Sequence, residues 1–434
     1  MKVAFYTLGC RVNVYESEAM TEIFKREGYE VVDFDQFSDV YVINTCTVTN
    51  TGDKKSRQII SKARRSNPDA TIAVVGCYSQ IAPKEVSEIE GVDVVLGTRN
   101  KGDVVYYVNK ARDEKKSQLH VDGVLKNKKF EELNIEEYRD KTRAFLKIQD
   151  GCNRFCTFCL IPYARGAVCS KEPSKVIEEV NKLADHGFKE IILSGIHTAS
   201  YGVDLEGGVD LISIIEEIQK VEGIERIRIG SIEPAFFSES NIERIKKLTK
   251  LCPHFHLSLQ SGCDATLKRM NRRYSAAEYK EAVENLRKIM PIASVTTDVI
   301  VGFPGETEEE FKETYEFLKD IKLTKTHVFK YSPRQGTKAA TMENQNDGNI
   351  KEVRSKALIA LNNENELNFS KAFVGEVMDV LIEQQVKNKE GIYEGYTSNY
   401  IKVEVPCDNS ENIGKIIDVK ITSVLEDGTL IGQI

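Results

Sequence analysis

Tryptophan is absent from the 434 residues, and histidine occurs six times. The first absence excludes no fold class. The histidines are scattered, with no pair at a recognisable metal-ligand spacing. No stretch reaches the roughly 18 consecutive apolar residues that span a membrane. The N-terminal MKVAFYTLGC lacks a basic leader, a long apolar core and a small-residue cleavage site, so no signal peptide is read and a cytoplasmic protein is expected. Ten cysteines are too few for a disulfide scaffold of this length, and clustered cysteines in a reducing compartment point to metal binding or catalysis. Positive charge is also in short supply: 60 Lys and Arg stand against 67 Asp and Glu, a formal net charge of −7. That argues against non-specific nucleic-acid binding by the whole chain. The local exception is Asn50–Ser66, with Lys54, Lys55, Arg57, Lys62, Arg64 and Arg65 against Asp53. It reads either as a solvated helix face or as a phosphate-contacting surface.

What the chain does have is concentrated in residues 150–166, DGCNRFCTFCLIPYARG, where Cys152, Cys156 and Cys159 follow a C-x3-C-x2-C spacing. Structural zinc takes four protein ligands, and ferredoxin runs close their cluster with a fourth cysteine. Three thiolates on one tight loop instead leave one iron of a [4Fe–4S] cube open to a substrate or cofactor. Phe158, just before the third cysteine, suits packing against a cofactor ring or against the loop itself. Cys169, close behind the loop, is read as structural, as are Cys252, Cys263 and Cys407.

Upstream, apolar runs at 2–7, 29–33, 40–44, 71–75 and 92–96 read as strands. They alternate with helices at 14–27 and 53–67, stopped by Gly28 and Pro68. This alternation predicts an open parallel sheet with crossover helices. Cys10, Cys46 and Cys77 each fall just past the C-terminal end of a strand, and those ends share the edge where ligands bind. Three convergent thiolates there would make a second open cluster. The alternative is three unrelated buried cysteines. Residues 113–141 are charged and weakly patterned, and read as a linker with an edge strand near 118–121.

Six further strands are expected at 144–149, 190–194, 226–231, 256–260, 294–301 and 326–331, with helices between them. They suit a (βα)6 partial TIM barrel, whose chemistry sits at the C-terminal strand ends. The cysteine loop follows the first strand. The other ends carry Ser194 and Gly195, Ser231, Gln260 and Ser261, Asp298 and Gly302, and Tyr331, with glycines that admit a ligand to the backbone. After a helix at 350–369, five short strands read as a small OB-like β-barrel. This last segment is acidic, with six Lys or Arg against eleven Asp or Glu over residues 370–434. The fold class expected is α/β in three units: an open parallel sheet domain over 1–113, a partial barrel over 138–369 and a β-barrel over 370–434.

C-x3-C-x-Phe-C, the wording GCNRFCTFCLIPYARG, the three strand-end cysteines and the β-rich C-terminus together resemble one family over essentially the whole chain. It is the methylthiotransferase family of the radical S-adenosylmethionine superfamily. LGCRVN around Cys10 is most like the branch acting on N6-threonylcarbamoyladenosine beside the tRNA anticodon. The resemblance implies a radical [4Fe–4S] cluster on Cys152, Cys156 and Cys159, an auxiliary [4Fe–4S] cluster on Cys10, Cys46 and Cys77, and a C-terminal TRAM domain. It implies two S-adenosylmethionine molecules per turnover. One methylates a sulfur on the auxiliary cluster; the other yields the 5′-deoxyadenosyl radical that removes hydrogen from C2 of the adenine. The strand-end residues would line the cofactor and substrate cavity. Lys268, Arg269, Arg272 and Arg273, in LKRMNRRY, would neutralise the cofactor carboxylate or tRNA phosphates, unless they belong to a solvated turn. The implied partners are the anticodon stem-loop of tRNA and an electron donor such as flavodoxin or ferredoxin, with the enzyme a monomer. The second barrel strand lacks a Gly-Gly-Glu, so no acidic amine-binding residue is transferred there. The same chemistry on isopentenyladenosine tRNA or on a ribosomal protein remains open. So does a zinc-containing RNA-binding protein without catalysis.

Overall fold

Two runs, VYVINT and TIAVVG, are buried at every position, as strands covered on both faces must be. They form β3 (Val40–Thr45) and β4 (Thr71–Gly76) of a sheet that also holds β1 (Lys2–Thr7), β2 (Glu30–Val32), β5 (Val94–Leu96) and β6 (Gln118–His120). The computed structural model describes residues 1–47, 50–125, 129–133, 135, 142–407 and 410–434. The expected start of the central unit at 138 lies outside them, as does part of the charged stretch 113–141. The sheet order is β2-β1-β3-β4-β5-β6, parallel throughout. Successive residues feed opposite cores: Val3, Val42 and Val75 on one face, Ala4, Ile43 and Val74 on the other. The order reverses between β1 and β3, and at such a switch point a crevice opens beyond the strand ends. Helices α1 (Arg11–Arg26) and α2 (Asn50–Ser66) follow those two strands. Helix α1 starts at Arg11 rather than at 14 because Asn13 Nδ2 donates to Leu8 O (2.7 Å) and Thr45 O (3.0 Å), fixing the first turn through a neighbouring strand.

The central unit contains β7 (Arg143–Lys147), β8 (Gln149–Asp150), β9 (Cys169–Ser170), β10 (Glu190–Ser194), β11 (Arg226–Ile229), β12 (Ser231–Ile232), β13 (His254–Leu257), β14 (Ser294–Val301) and β15 (Lys325–Lys330). The run expected as one strand at 226–231 is broken at Gly230, whose N–H bonds to Leu193 O (2.9 Å). The break passes the chain from the sheet β7-β10-β11 to the sheet β12-β13-β14-β15, and the two curve into an open (βα)6 partial barrel. Strand β13 ends before Gln260, which has φ +72° and bridges to β14 through its own N–H and C=O. Helices Ala276–Ile289 and Glu308–Ile321 begin on capping boxes, Ser275 with Glu278 and Thr307 with Glu310.

Helix Gly348–Lys371 runs along β15, where Asn362 Oδ1 accepts from Thr326 N–H (2.6 Å). The chain then closes a small barrel, β16 (Val377–Gln385), β17 (Ile392–Thr397), β18 (Lys402–Pro406), β19 (Ile416–Val424) and β20 (Leu430–Gln433), in the order β16-β17-β18-β20-β19. It docks on the starts of the central strands: Arg143 pairs with Glu383 (2.6 Å) and Arg226 with Asp379 (2.6 Å). Among the described residues no helix is long and apolar enough to cross a membrane.

Candidate functional site

The pairing of β8 with β9 delivers the chain through Gly151 into the cysteine loop. Gly151 has φ +73°, and a Cβ there would lie 1.9 Å from Ala167 O, so the turn requires glycine. Cys152 N–H donates to Gly166 O and Cys159 N–H to Cys156 O, both at 3.0 Å, which folds the three cysteines onto one turn. The N–H groups of Arg154 and Ile161 point at the Sγ atoms of Cys152 and Cys159 (3.5 and 3.4 Å), and Arg272 Nη1 donates to Cys156 Sγ (3.3 Å). Burial pushes the Cys152 thiol up and the Cys159 thiol up to about 12. Thiolates here therefore need positive charge beside them. Arg272 is the arginine at this loop; Arg273 is exposed, with no hydrogen bond or ion pair among the described residues.

Past the end of β12, Glu233 meets Arg154 (2.5 Å) and His197 (3.2 Å), with Arg272 3.6 Å away. Burial opposes its charge, but His197, Arg272 and Arg154 together hold its carboxyl down at about 2. The sequence places Glu233 at a strand end. It gives no sign that residues from three separate loops would gather on it.

Cys10, Cys46 and Cys77 lie past the C-terminal ends of β1, β3 and β4, three adjacent strands of one parallel sheet. A Cβ on Gly9, whose φ is +106°, would lie 2.9 Å from Cys46 Cβ and 3.1 Å from its Sγ, so Cys46 lies against the turn that carries Cys10. Cys77 opens the helix after β4 and is buried; burial raises its thiol pKa, Arg165 lowers it and Cys10 raises it again. Arg165, at the end of the Cys152 loop, donates from Nε to Cys77 Sγ (3.3 Å), from Nη2 to Asn13 Oδ1 (2.5 Å) and from Nη1 to Glu16 Oε1 (2.7 Å). Glu16 also meets Lys147 (2.9 Å) and Lys101 (3.1 Å), and Lys147 reaches Asp150 (2.7 Å), all fully buried. Burial opposes the charge on Glu16, yet Arg165, Lys101 and Lys147 hold its carboxyl well below the usual range. This ion network joins the two cysteine-bearing domains. Cys169 stands apart, its Sγ taken by Arg99 Nη1 (2.8 Å).

A cavity of about 1330 Å³ is lined by Cys10, Arg11, Ser194, Gly195, Ser231 and Asp298, and by Tyr396 and Tyr400 of the terminal barrel. The other expected residues lie elsewhere. Ser261 Oγ is buried against Thr314 Oγ1 (3.1 Å), and Gly302 N–H binds Glu306 (2.6 Å). Gln260 is fixed to β14. Phe158 and Tyr331 pack with Met270, Phe303 and Ala339 beside the cysteine loop. His256, Asp298 and His327, on adjacent strands, have ligand atoms within 4.8 Å of one another, a grouping that sequence spacing did not reveal. On α2, Arg57, Lys62 and Arg64 are paired with Glu85, Asp35 and Asp93, whereas Lys54, Lys55 and Arg65 are exposed.

Both donor sets fit open iron–sulfur centres: two groups of three soft sulfurs, each with one sulfur taking a hydrogen bond from a buried or half-buried guanidinium. Beside the loop, Tyr331 Oη is buried without a hydrogen-bond partner among the described residues, as a polar atom awaiting a cofactor would be.

Fold and cysteine loop define a radical S-adenosylmethionine protein, and the family model of that superfamily matches residues 146–318. The uncharacterized protein family UPF0004 matches 2–97 and the TRAM domain 371–434. The threonylcarbamoyladenosine tRNA methylthiotransferase MtaB of Bacillus subtilis (strain 168) is 47% identical over 422 residues, covering 96% of this chain and 93% of the relative. The protein of the same name from Aquifex aeolicus (strain VF5) is 39% identical, covering 97% and 100%. The tRNA-2-methylthio-N(6)-dimethylallyladenosine synthase of Clostridium tetani (strain Massachusetts / E88) is 36% identical, covering 96% and 93%. The chain belongs to the methylthiotransferase family. The solved radical S-adenosylmethionine methyltransferase TsrM from Kitasatospora setae has the same fold over 78% of this chain and 77% of its own, with a TM-score of 0.58 at 15% identity.

Proposed function

We propose that this protein is a tRNA methylthiotransferase that converts N6-threonylcarbamoyladenosine beside the anticodon to its 2-methylthio derivative. The observation that carries the chemistry is the tie between the two cysteine-bearing segments: Arg165, at the C-terminal end of the Cys152 loop, touches Cys77 Sγ. The substrate rests on the near full-length likeness to MtaB. Cys152, Cys156 and Cys159 would hold one [4Fe–4S] cluster, and Cys10, Cys46 and Cys77 the second. Held there, the first cluster would supply the electron that cleaves S-adenosylmethionine and the second would hold the sulfur to be transferred, with a flavodoxin or ferredoxin as electron source. Glu233, kept ionised by Arg154, His197 and Arg272, presents a carboxylate beside the Cys152 loop. The cavity joins Cys10 to the barrel strand ends and admits the adenosine.

The test is the modified-nucleoside profile of tRNA from cells lacking the gene, complemented by wild type, Cys10→Ala or Cys152→Ala. Wild type restores the 2-methylthio derivative and neither variant does. An unchanged profile in the deletion strain defeats the tRNA reading, and restoration by Cys10→Ala defeats the auxiliary-cluster assignment.

A further inference from the structure

Arg11 directly follows Cys10 and lines the same cavity. It is half-buried and makes no hydrogen bond or ion pair among the described residues. Its guanidinium lies 5.7 Å from the centre of the Phe145 ring. The titratable groups around it are the Tyr400 phenol, the guanidinium groups of Arg143 and Arg228, and the carboxylate of Glu190. Glu190 is already engaged by Arg228 at 2.9 Å and Arg226 at 3.5 Å, and Arg143 by Glu383 at 2.6 Å. Of the four carboxylates on the cavity wall, Asp298 faces His256 (3.4 Å), Glu366 is paired with Lys325 (2.7 Å), Asp427 accepts from Thr429 N–H (3.0 Å) and Glu426 is exposed. A half-buried guanidinium that faces a cavity has donors left to fill, and its planar fork matches a carboxylate in two parallel hydrogen bonds. The stacked rings of Tyr396 and Tyr400, 4.7 Å apart, form an aromatic wall of the same space.

We propose that Arg11 binds the threonyl carboxylate of the modified adenosine, and so selects a threonylcarbamoyl group over an uncharged N6 substituent. The inference rests on the tRNA reading above. It assigns Arg11 to substrate binding, one residue from a cysteine of the second triad. The threonylcarbamoyl group carries one carboxylate at the far end from the purine. An isopentenyl group carries none and would leave Arg11 unpaired.

The experiment is a two-sided cycle on anaerobic holoenzyme, with cluster loading checked by iron and sulfide content. Anticodon stem-loops bearing the threonylcarbamoyl group as free acid or as methyl ester are titrated against wild type, Arg11→Lys and Arg11→Gln. Esterification should weaken binding to wild type by about tenfold or more. It should change binding to Arg11→Gln by no more than about twofold, with Arg11→Lys between the two. If wild type binds acid and ester alike, or Arg11→Gln still separates them tenfold, the assignment is overturned. The ester arm on wild type decides even if a variant loads clusters poorly. Wild type that binds neither stem-loop instead defeats the tRNA reading itself.

Discussion

Arg165 Nε stands 3.3 Å from Cys77 Sγ while Arg165 Nη1 stands 2.7 Å from Glu16, every partner being buried. Cys77 and Arg165 belong to different domains, so one guanidinium ties the helix after β4 to the end of the Cys152 loop. Arg165→Met would leave Glu16 with Lys147 and Lys101 but take a full charge out of a closed network. Breaking a buried network of this kind costs on the order of 3 kcal/mol. The expected outcome is a lower urea midpoint together with loss of iron from the N-terminal site. An unchanged midpoint would show that the domains are held by other contacts.

Glu233 makes stability depend on pH with a definite sign. Its folded pKa, about 2, lies below the ordinary carboxylate value of 4.5. It therefore contributes stability that is fully present above pH 4.5 and is lost as pH falls toward 2. A shift of this size corresponds to about 3 kcal/mol. Wild type should exceed Glu233→Gln in unfolding free energy at pH 7, and the difference should shrink steadily on acidification. A difference that stays constant down to pH 3 would mean that Glu233 acts through packing rather than charge.

Much of this was readable from the chain because the signals are local. Strand β3 and strand β4 announce themselves as apolar runs, and the cysteines behind them inherit one sheet edge from the topology of parallel sheets. The Cys152 loop is legible as spacing alone. What stayed hidden depends on residues that meet only in three dimensions. Glu16 and Arg165 are 149 positions apart, and Glu16 sits on an amphipathic helix where a charge reads as solvent-facing. Arg272 and Arg273 are indistinguishable in sequence, and only the turn that binds Thr157 N–H to Met270 O sends the first toward Cys156. Ser261 lies at a strand end as expected, but the strand stops short, the left-handed Gln260 follows, and the hydroxyl turns into helix Glu308–Ile321.

Gly9 tests whether the N-terminal triad is a preformed site. Gly9→Ala would place a methyl 2.9 Å from Cys46 Cβ in a left-handed conformation that side chains resist. Cys46 must then withdraw from Cys10. The expected result is loss of about four of about eight irons, with the Cys152 site still loaded. Full iron content in Gly9→Ala would place Cys46 outside the ligand set.

Cys169 and Cys152 provide the sharpest contrast between a structural thiol and a ligand. Both lie within the β8–β9 region, and both have thiol pKa values raised by burial. Cys169 Sγ, however, is engaged by Arg99 at 2.8 Å and sits on the strand paired with Asp150, whereas Cys152 lies on the turn that also carries Cys156 and Cys159. Cys169→Ser keeps an acceptor for Arg99 and should leave iron content and colour unchanged. Its only cost is the exchange of a buried sulfur for a smaller, more polar oxygen, about 1 kcal/mol. Cys152→Ser should remove about four irons, because a hydroxyl replaces a thiolate among three. Iron and sulfide assays on both anaerobic proteins separate the two roles. If Cys169→Ser loses iron to the same extent, the loop has a fourth ligand and the open-cluster reading of its chemistry fails.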